Sequence, residues 1–253
     1  MLQCQQIEIE ARLSINQIAL ERGQCWHLLG PNGAGKTSFL SLVAGLLTQD
    51  TGVLTFESKP FENLSLIELA QRRCLLEQSY LCPFSITVEE LLSFYKPTGT
   101  NIQPSSVSIP QLLEDALGIT PFLKKQIEHL SGGEKQRVQI TRCLLQVWSS
   151  ILKGNALILL DEPIASLDLK YQVSLMNLCS DLTAMGNLVV LSCHDLNISA
   201  RYASHIALFK ERRLVDAGQN SSVLTIDAIQ KVFDQKVTCT EVTSNSQKVF
   251  TSA

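Results

Sequence analysis

The chain has 253 residues, 45% of them hydrophobic, which is length enough to bury one sizeable core and near the upper limit of a single cooperative domain. A net charge of −3 supplies no bulk attraction to nucleic acid or anionic lipid, so nucleic acid is not an expected partner. Apolar runs such as 156–160 and 188–191 fall far short of the roughly 20 residues that cross a bilayer, and the eight cysteines, with no CxxC and no histidine at zinc-ligand spacing, read as reduced core residues of a cytosolic protein.

Residues 7–20 alternate apolar and polar side chains with the period of half-buried antiparallel strands, and Glu21-Arg22-Gly23 is the turn expected between them. Cys25-Trp26-His27-Leu28-Leu29 is a short apolar strand running straight into a glycine-rich loop. Residues 37–46 then have helical character, ending near Gly45 and a turn at Asp50-Thr51-Gly52. From about residue 80 to 147 the pattern is helical, with helices predicted over 88–95, 111–117 and 134–147 and a Pro-, Ser- and Thr-rich separator over 97–110. Continuous apolar strands resume at 156–160 and 188–193, as suits strands covered on both faces. The fold expected is α/β, a mixed sheet with an antiparallel part and an inserted helical subdomain. Within one domain spanning 1–253, residues 1–78 and 148–218 form the expected catalytic core, 79–147 the helical subdomain and 219–253 a C-terminal extension without an assignable motif.

The chemistry concentrates in a few segments. Gly30, Gly33 and Gly35 let the backbone bend so that successive amides and the following helix N-terminus face phosphate oxygens, and Pro31, Asn32, Ala34 and Ser38 complete the expected cradle. Lys36 is suited to bridge the β- and γ-phosphates and Thr37 to offer its hydroxyl to Mg²⁺. Asp161 emerges from Leu157-Ile158-Leu159-Leu160 at the carboxyl end of a buried strand, where a carboxylate can hold that Mg²⁺. Glu162 beside it can take a proton from an attacking water. His194, one residue past the strand 188–193, can touch the γ-phosphate or orient the water, and the amide of Gln78 can ligate Mg²⁺. At Leu130-Ser131-Gly132-Gly133-Glu134 a capping box opens a second helix whose glycine amides can receive an anion, so an ordinary N-cap and a phosphate receptor are compatible readings of Ser131, Gly132 and Gly133.

In order and spacing these segments resemble the motifs of the ATP-binding-cassette ATPases. The glycine loop corresponds to Walker A, Gln78 to the Q-loop, Leu130 to Glu134 with Gln136-Arg137 to the signature, Ala156 to Glu162 to Walker B, Ser166-Leu167-Asp168 to the D-loop and His194 to the switch histidine. The resemblance covers roughly 5–218 and implies a P-loop NTPase with ATP and Mg²⁺ as ligands. It further implies a head-to-tail pair of two copies, each signature closing over the other's nucleotide, and hydrolysis that drives transmembrane permease subunits from the cytoplasmic face of the inner membrane. Within the family the chain looks most like importer subunits for iron-siderophores, haem and cobalamin, with cobalamin foremost. The cues are Glu77-Gln78-Ser79 leading to Pro83-Phe84, Leu144-Leu145-Gln146 with its long spacer, and Ser192 to Asn197. An extracytoplasmic substrate-binding protein is then an indirect partner, and the segment 80–88 is the expected grip on a permease helix. Two departures stand out. Arg12 occupies the place where the family usually stacks an aromatic on adenine, and Lys210-Glu211-Arg212-Arg213 lacks the family's usual hairpin glycine, which predicts a strained turn.

Overall fold

The computed structural model describes residues 1–77, 85–95, 108–242 and 247–252. Strand β1 (Leu2–Ile9) pairs antiparallel with β2 (Leu13–Leu20), Ile7 opposite Ile15, and both alternate buried and exposed side chains. The reversal falls at residues 10–12, where Ala11 has a φ of 54°, and not at Glu21-Arg22-Gly23, which instead leads from β2 into β3 (Cys25–Leu29). Ile7, Ile9, Leu13 and Ile15 all share odd parity, so a tight turn between them leaves the period-two pattern unbroken and hides the reversal.

Helix α1 (Lys36–Val43) follows β3 after the glycine loop. The turn expected at 50–52 is the first part of β4 (Thr51–Phe56), where Gly52, at a φ of 93°, lies against Gln6 as the pairing register with β1 shifts. A glycine inside a strand at such a shift marks a bulge, not a chain reversal. Then come β5 (Lys59–Pro60), α2 (Leu66–Arg72) and β6 (Arg73–Leu76), followed by helices α3 (Val88–Ser93), α4 (Gln111–Leu117), α5 (Gly132–Gln146) and α6 (Trp148–Ile151). The last part alternates β7 (Leu157–Leu160), α7 (Leu169–Ala184), β8 (Leu188–Ser192) and α8 (Leu196–Tyr202). A hairpin of β9 (His205–Lys210) and β10 (Arg213–Gln219), helices α9 (Asn220–Val223) and α10 (Ile226–Phe233), and a separate hairpin of β11 (Val237–Val242) and β12 (Gln247–Ser252) complete it.

Ten strands form one sheet in the order β5-β4-β1-β2-β10-β9-β3-β8-β7-β6. The run β9-β3-β8-β7-β6 is parallel, and the other end is built mainly from antiparallel pairs. Strands β3, β7 and β8 are buried along their whole length and feed a core on each face. Leu157, Leu159, Leu188 and Val190 join β1, β2 and α1 on one side, whereas Ile158, Leu160, Val189 and Leu191 join α5 and α7 on the other. Burial of large aliphatic side chains at about 1.5–3 kcal/mol each makes these two layers the main stabilising term. Among the described residues, no helix is long and apolar enough to cross a membrane.

Candidate active site

The loop between β3 and α1 is shaped by its glycines. At Gly30, with a φ of 151°, a Cβ would lie 2.1 Å from the Phe209 carbonyl oxygen on β9, so the loop can leave the sheet only where no side chain stands. Gly35 occupies the N-cap of α1 in a left-handed conformation, φ 106°, and no side chain caps the helix. The first-turn amides therefore stay available to an anion, at the positive end of the helix dipole. The ammonium of Lys36, only 6% exposed, donates to the carbonyl oxygens of Gly30 at 2.7 Å and Pro31 at 3.1 Å. Burial lowers its pKa, and the nearby Glu162 and Asp161 carboxylates oppose that shift.

Asp161 stands directly past β7, its amide bonded to the Leu76 carbonyl on β6 at 2.9 Å, and is 3% exposed. Its carboxylate accepts from the Thr37 hydroxyl at 2.8 Å and from the Ser192 hydroxyl at 2.6 Å, which joins the phosphate loop, β7 and β8. Ser192 also accepts the Glu162 amide at 2.7 Å. Glu162 itself has a φ of 46°, a costly backbone state for a residue with a side chain and one that concentrates at functional sites. Its Oε1 lies 2.6 Å from Nε2 of His194, just beyond β8. The Thr37 hydroxyl and Asp161 carboxylate form a pair of hard oxygen donors, the chemistry that suits Mg²⁺, an ion that completes its shell with water and phosphate oxygens.

A cleft of about 720 Å³ opens here, lined by residues 32–38, Glu162 and His194, with Ala11, Arg12 and Arg212 on its rim. Of the residues expected from sequence, Asn32, Gly33, Ala34, Gly35, Lys36, Thr37, Ser38, Glu162 and His194 share this cleft. Gly30 and Pro31 act one layer back through their carbonyls on Lys36, and Asp161 lies beneath, holding Thr37. Gln78 and most of the segment 80–88 lie outside the described residues.

Ser131, Gly132 and Gly133 are not among the cleft's lining residues. They open α5 through the expected capping box, the Ser131 hydroxyl accepting the Glu134 amide at 3.3 Å while the Glu134 carboxylate accepts the Ser131 amide at 2.7 Å. This tip packs on the loop after Glu162: a Cβ on Gly133 would lie 2.9 Å from the Ser166 carbonyl, and Gln136 donates to the Pro163 carbonyl at 3.1 Å. Arg137 fixes the helix from within, donating to the Leu117 carbonyl at 2.6 Å with its guanidinium 3.8 Å from the Tyr171 ring centroid. Sequence reasoning missed the role of Ser192. Its signal was a hydroxyl ending an otherwise apolar strand next to the one that ends in Asp161.

Fold and site together define a phosphate-loop ATPase whose α5 tip does not line its own cleft. Comparison with known proteins refines this. Residues 13–165 match the family described as ABC transporter. The chain is 33% identical over 234 residues, 92% of each chain, to the vitamin B12 import ATP-binding protein of Yersinia pseudotuberculosis serotype I. It is 35% identical over 215 residues, 84% of this chain and 81% of the other, to the hemin import ATP-binding protein of Mesorhizobium japonicum. Among solved structures, a dimeric bacterial ABC transporter cassette has the same fold, with a TM-score of 0.69 at 22% identity over 87% of this chain and 99% of that one. The chain belongs to the ABC transporter family and is one of its ATPases.

Proposed function

We propose that this chain is the ATP-hydrolysing subunit of an importer, working as a head-to-tail pair of two copies beneath transmembrane permease subunits at the cytoplasmic face of the inner membrane. The observation that carries the reading is the convergence at one cleft of Lys36, the Thr37–Asp161 pair and the Glu162–His194 pair, on a chain whose α5 tip is not part of that cleft's lining. ATP is the substrate, its phosphates cradled by residues 30–38. Thr37 and Asp161, with Gln78, would hold Mg²⁺, which when bound neutralises phosphate charge. Glu162 accepts a proton from the attacking water, and His194, hydrogen-bonded to it, orients that carboxylate. Ser131, Gly132 and Gly133 of one copy close over the nucleotide of the other. Because the α5 tip rests on the 163–166 loop, closure on the partner's nucleotide also acts on the protomer's own Glu162.

Nucleotide drives this closure by interacting more strongly with the closed pair than with the open one; a swing from 1:99 to 99:1 needs about 5.5 kcal/mol of differential affinity. Residues 1–78 and 148–218 act as the catalytic core and 79–147 as the subdomain that moves against it. The cargo proposed is cobalamin, with an extracytoplasmic binding protein delivering it. The relative named for vitamin B12 import, aligned over 92% of both chains, supports that choice, and the relative named for hemin import makes haem the alternative. Uptake assays in a strain lacking this chain decide between them. Loss of cobalamin uptake with intact haem and ferric-siderophore uptake is expected, and loss of haem uptake alone would replace cobalamin with haem.

A further inference from the structure

The rim of the cleft bears two arginines and, among the described residues that line it, no Phe, Tyr or Trp. Arg12 ends the β1–β2 turn, its amide bonded to the Ile9 carbonyl at 3.0 Å, and Arg212 sits in the β9–β10 turn, its carbonyl accepting the Ser14 amide at 2.8 Å. Both backbones press on the N-cap of α1: a Cβ on Gly35 would lie 3.3 Å from the Arg212 Cα and 3.5 Å from the Arg12 carbonyl oxygen. The two side chains thus start from fixed points beside the phosphate loop. Both are exposed, and among the described residues neither guanidinium is engaged by an ion pair or hydrogen bond. With Lys36 they put three cations at the cleft, against two carboxylates, Glu162 on its lining and Asp161 beneath. An anion entering the cleft relieves that imbalance.

Resting on the nucleotide reading of this cleft, we propose that Arg12 and Arg212 set its specificity, holding nucleoside triphosphates by charge and by flat, donor-only guanidinium contacts and so accepting purine and pyrimidine bases alike. A guanidinium stacks on any planar ring, and its donors find acceptors on every base, on the ribose and on the phosphates. It offers no acceptor to adenine's amino group, so the edge that distinguishes adenine goes unread. Affinity that rests on charge is also screened by salt, with a Debye length of about 10 Å at 0.1 M.

The test is phosphate release by the full chain with ATP, GTP, CTP and UTP at low and high KCl. Wild type should give kcat/KM values for all four within about tenfold, a spread equivalent to about 1.4 kcal/mol, with KM rising as salt is added. In Arg12→Ala with Arg212→Ala, KM should rise by about tenfold for every nucleotide, the loss expected for a charge-assisted contact, and the salt dependence should flatten while thermal unfolding stays as in wild type. Arg12→Tyr with Arg212→Gly should recover ATP and GTP but not CTP and UTP. Discrimination against CTP by about a hundredfold in wild type, or an unchanged salt dependence in the double alanine variant, would overturn the proposal. Lys36→Ala separates the two claims: loss of turnover with every nucleotide upholds the phosphate cleft whatever the arginines do, and retained turnover removes both.

Discussion

Two buried polar side chains near the cleft do different work. Ser192 donates to Asp161 and accepts from Glu162, so one hydroxyl sets the positions of both carboxylate-bearing residues from a neighbouring strand. Ser192→Ala removes a donor to the buried Asp161 carboxylate and an acceptor of the Glu162 amide. We expect a loss of about 2 kcal/mol in chemical denaturation and a fall in kcat larger than any change in KM for ATP; wild-type kcat would show that Ser192 does not position Glu162. His27, two residues before the end of β3, is fully buried, with Nδ1 3.0 Å from the Ser199 hydroxyl on α8 and Nε2 without a partner. Burial pushes its pKa down from 6.5 to about 3. The folded protein therefore holds His27 neutral while the unfolded chain takes up a proton below pH 6.5, so stability is full above 6.5 and is lost as pH falls toward 3. The loss is on the order of 5 kcal/mol at most. Denaturation of wild type and His27→Leu across that window should show a shallower slope for the variant, and parallel curves would contradict the assignment.

At the scale of elements, hairpin turns carry visible strain. Glu57 and Ser58, between β4 and β5, have φ values of 52° and 63°, and Glu211 and Arg212, between β9 and β10, have 50° and 65°. Both turns thus hold two consecutive left-handed residues, the geometry of a type I′ turn that Asn-Gly would fill at low cost. The strain expected at 210–213 is present, and a second instance at 57–58 went unforeseen. Ser58→Gly relieves about 1–2 kcal/mol of left-handed strain against about 0.5–1 kcal/mol of added chain entropy. A net gain of about 0.5–1 kcal/mol in urea denaturation is expected, and a loss would mean the turn is not strained. Elements whose signal is local were legible from sequence. The strand 25–29 ends at a glycine loop, and Gln111–Leu117 is bounded by Pro110 and Gly118. Strands β4 and β6 were not legible, because their meaning lies in pairing with β1 and β7, residues far off in the chain. The hairpin of β11 and β12 likewise depends on a distant residue, Asn197 of α8, which makes reciprocal bonds to the Phe250 backbone at 2.7 and 3.1 Å.

For the whole molecule, the decisive feature is a separation within one chain. The glycine loop, Glu162 and His194 share a cleft at the carboxyl ends of the parallel strands, and the Ser131 tip of α5, a capped helix start with two glycines, is not among the residues that line it. Glu162 and His194 stand out in the sequence because each sits at a fixed offset from a strand end; that they share a cleft with the glycine loop does not, since that depends on strand order. If, as proposed, that tip closes over a twin's nucleotide, a variant that binds ATP without cleaving it should accumulate as the closed pair. The most direct measurement is sedimentation of Glu162→Gln with and without ATP and Mg²⁺, alongside Glu162→Gln carrying Ser131→Arg. The account predicts a monomer without nucleotide, a dimer with ATP and no hydrolysis, and a monomer again when the arginine blocks the α5 tip. A Glu162→Gln protein that binds ATP yet stays monomeric, or one that turns ATP over at the wild-type rate, would contradict it.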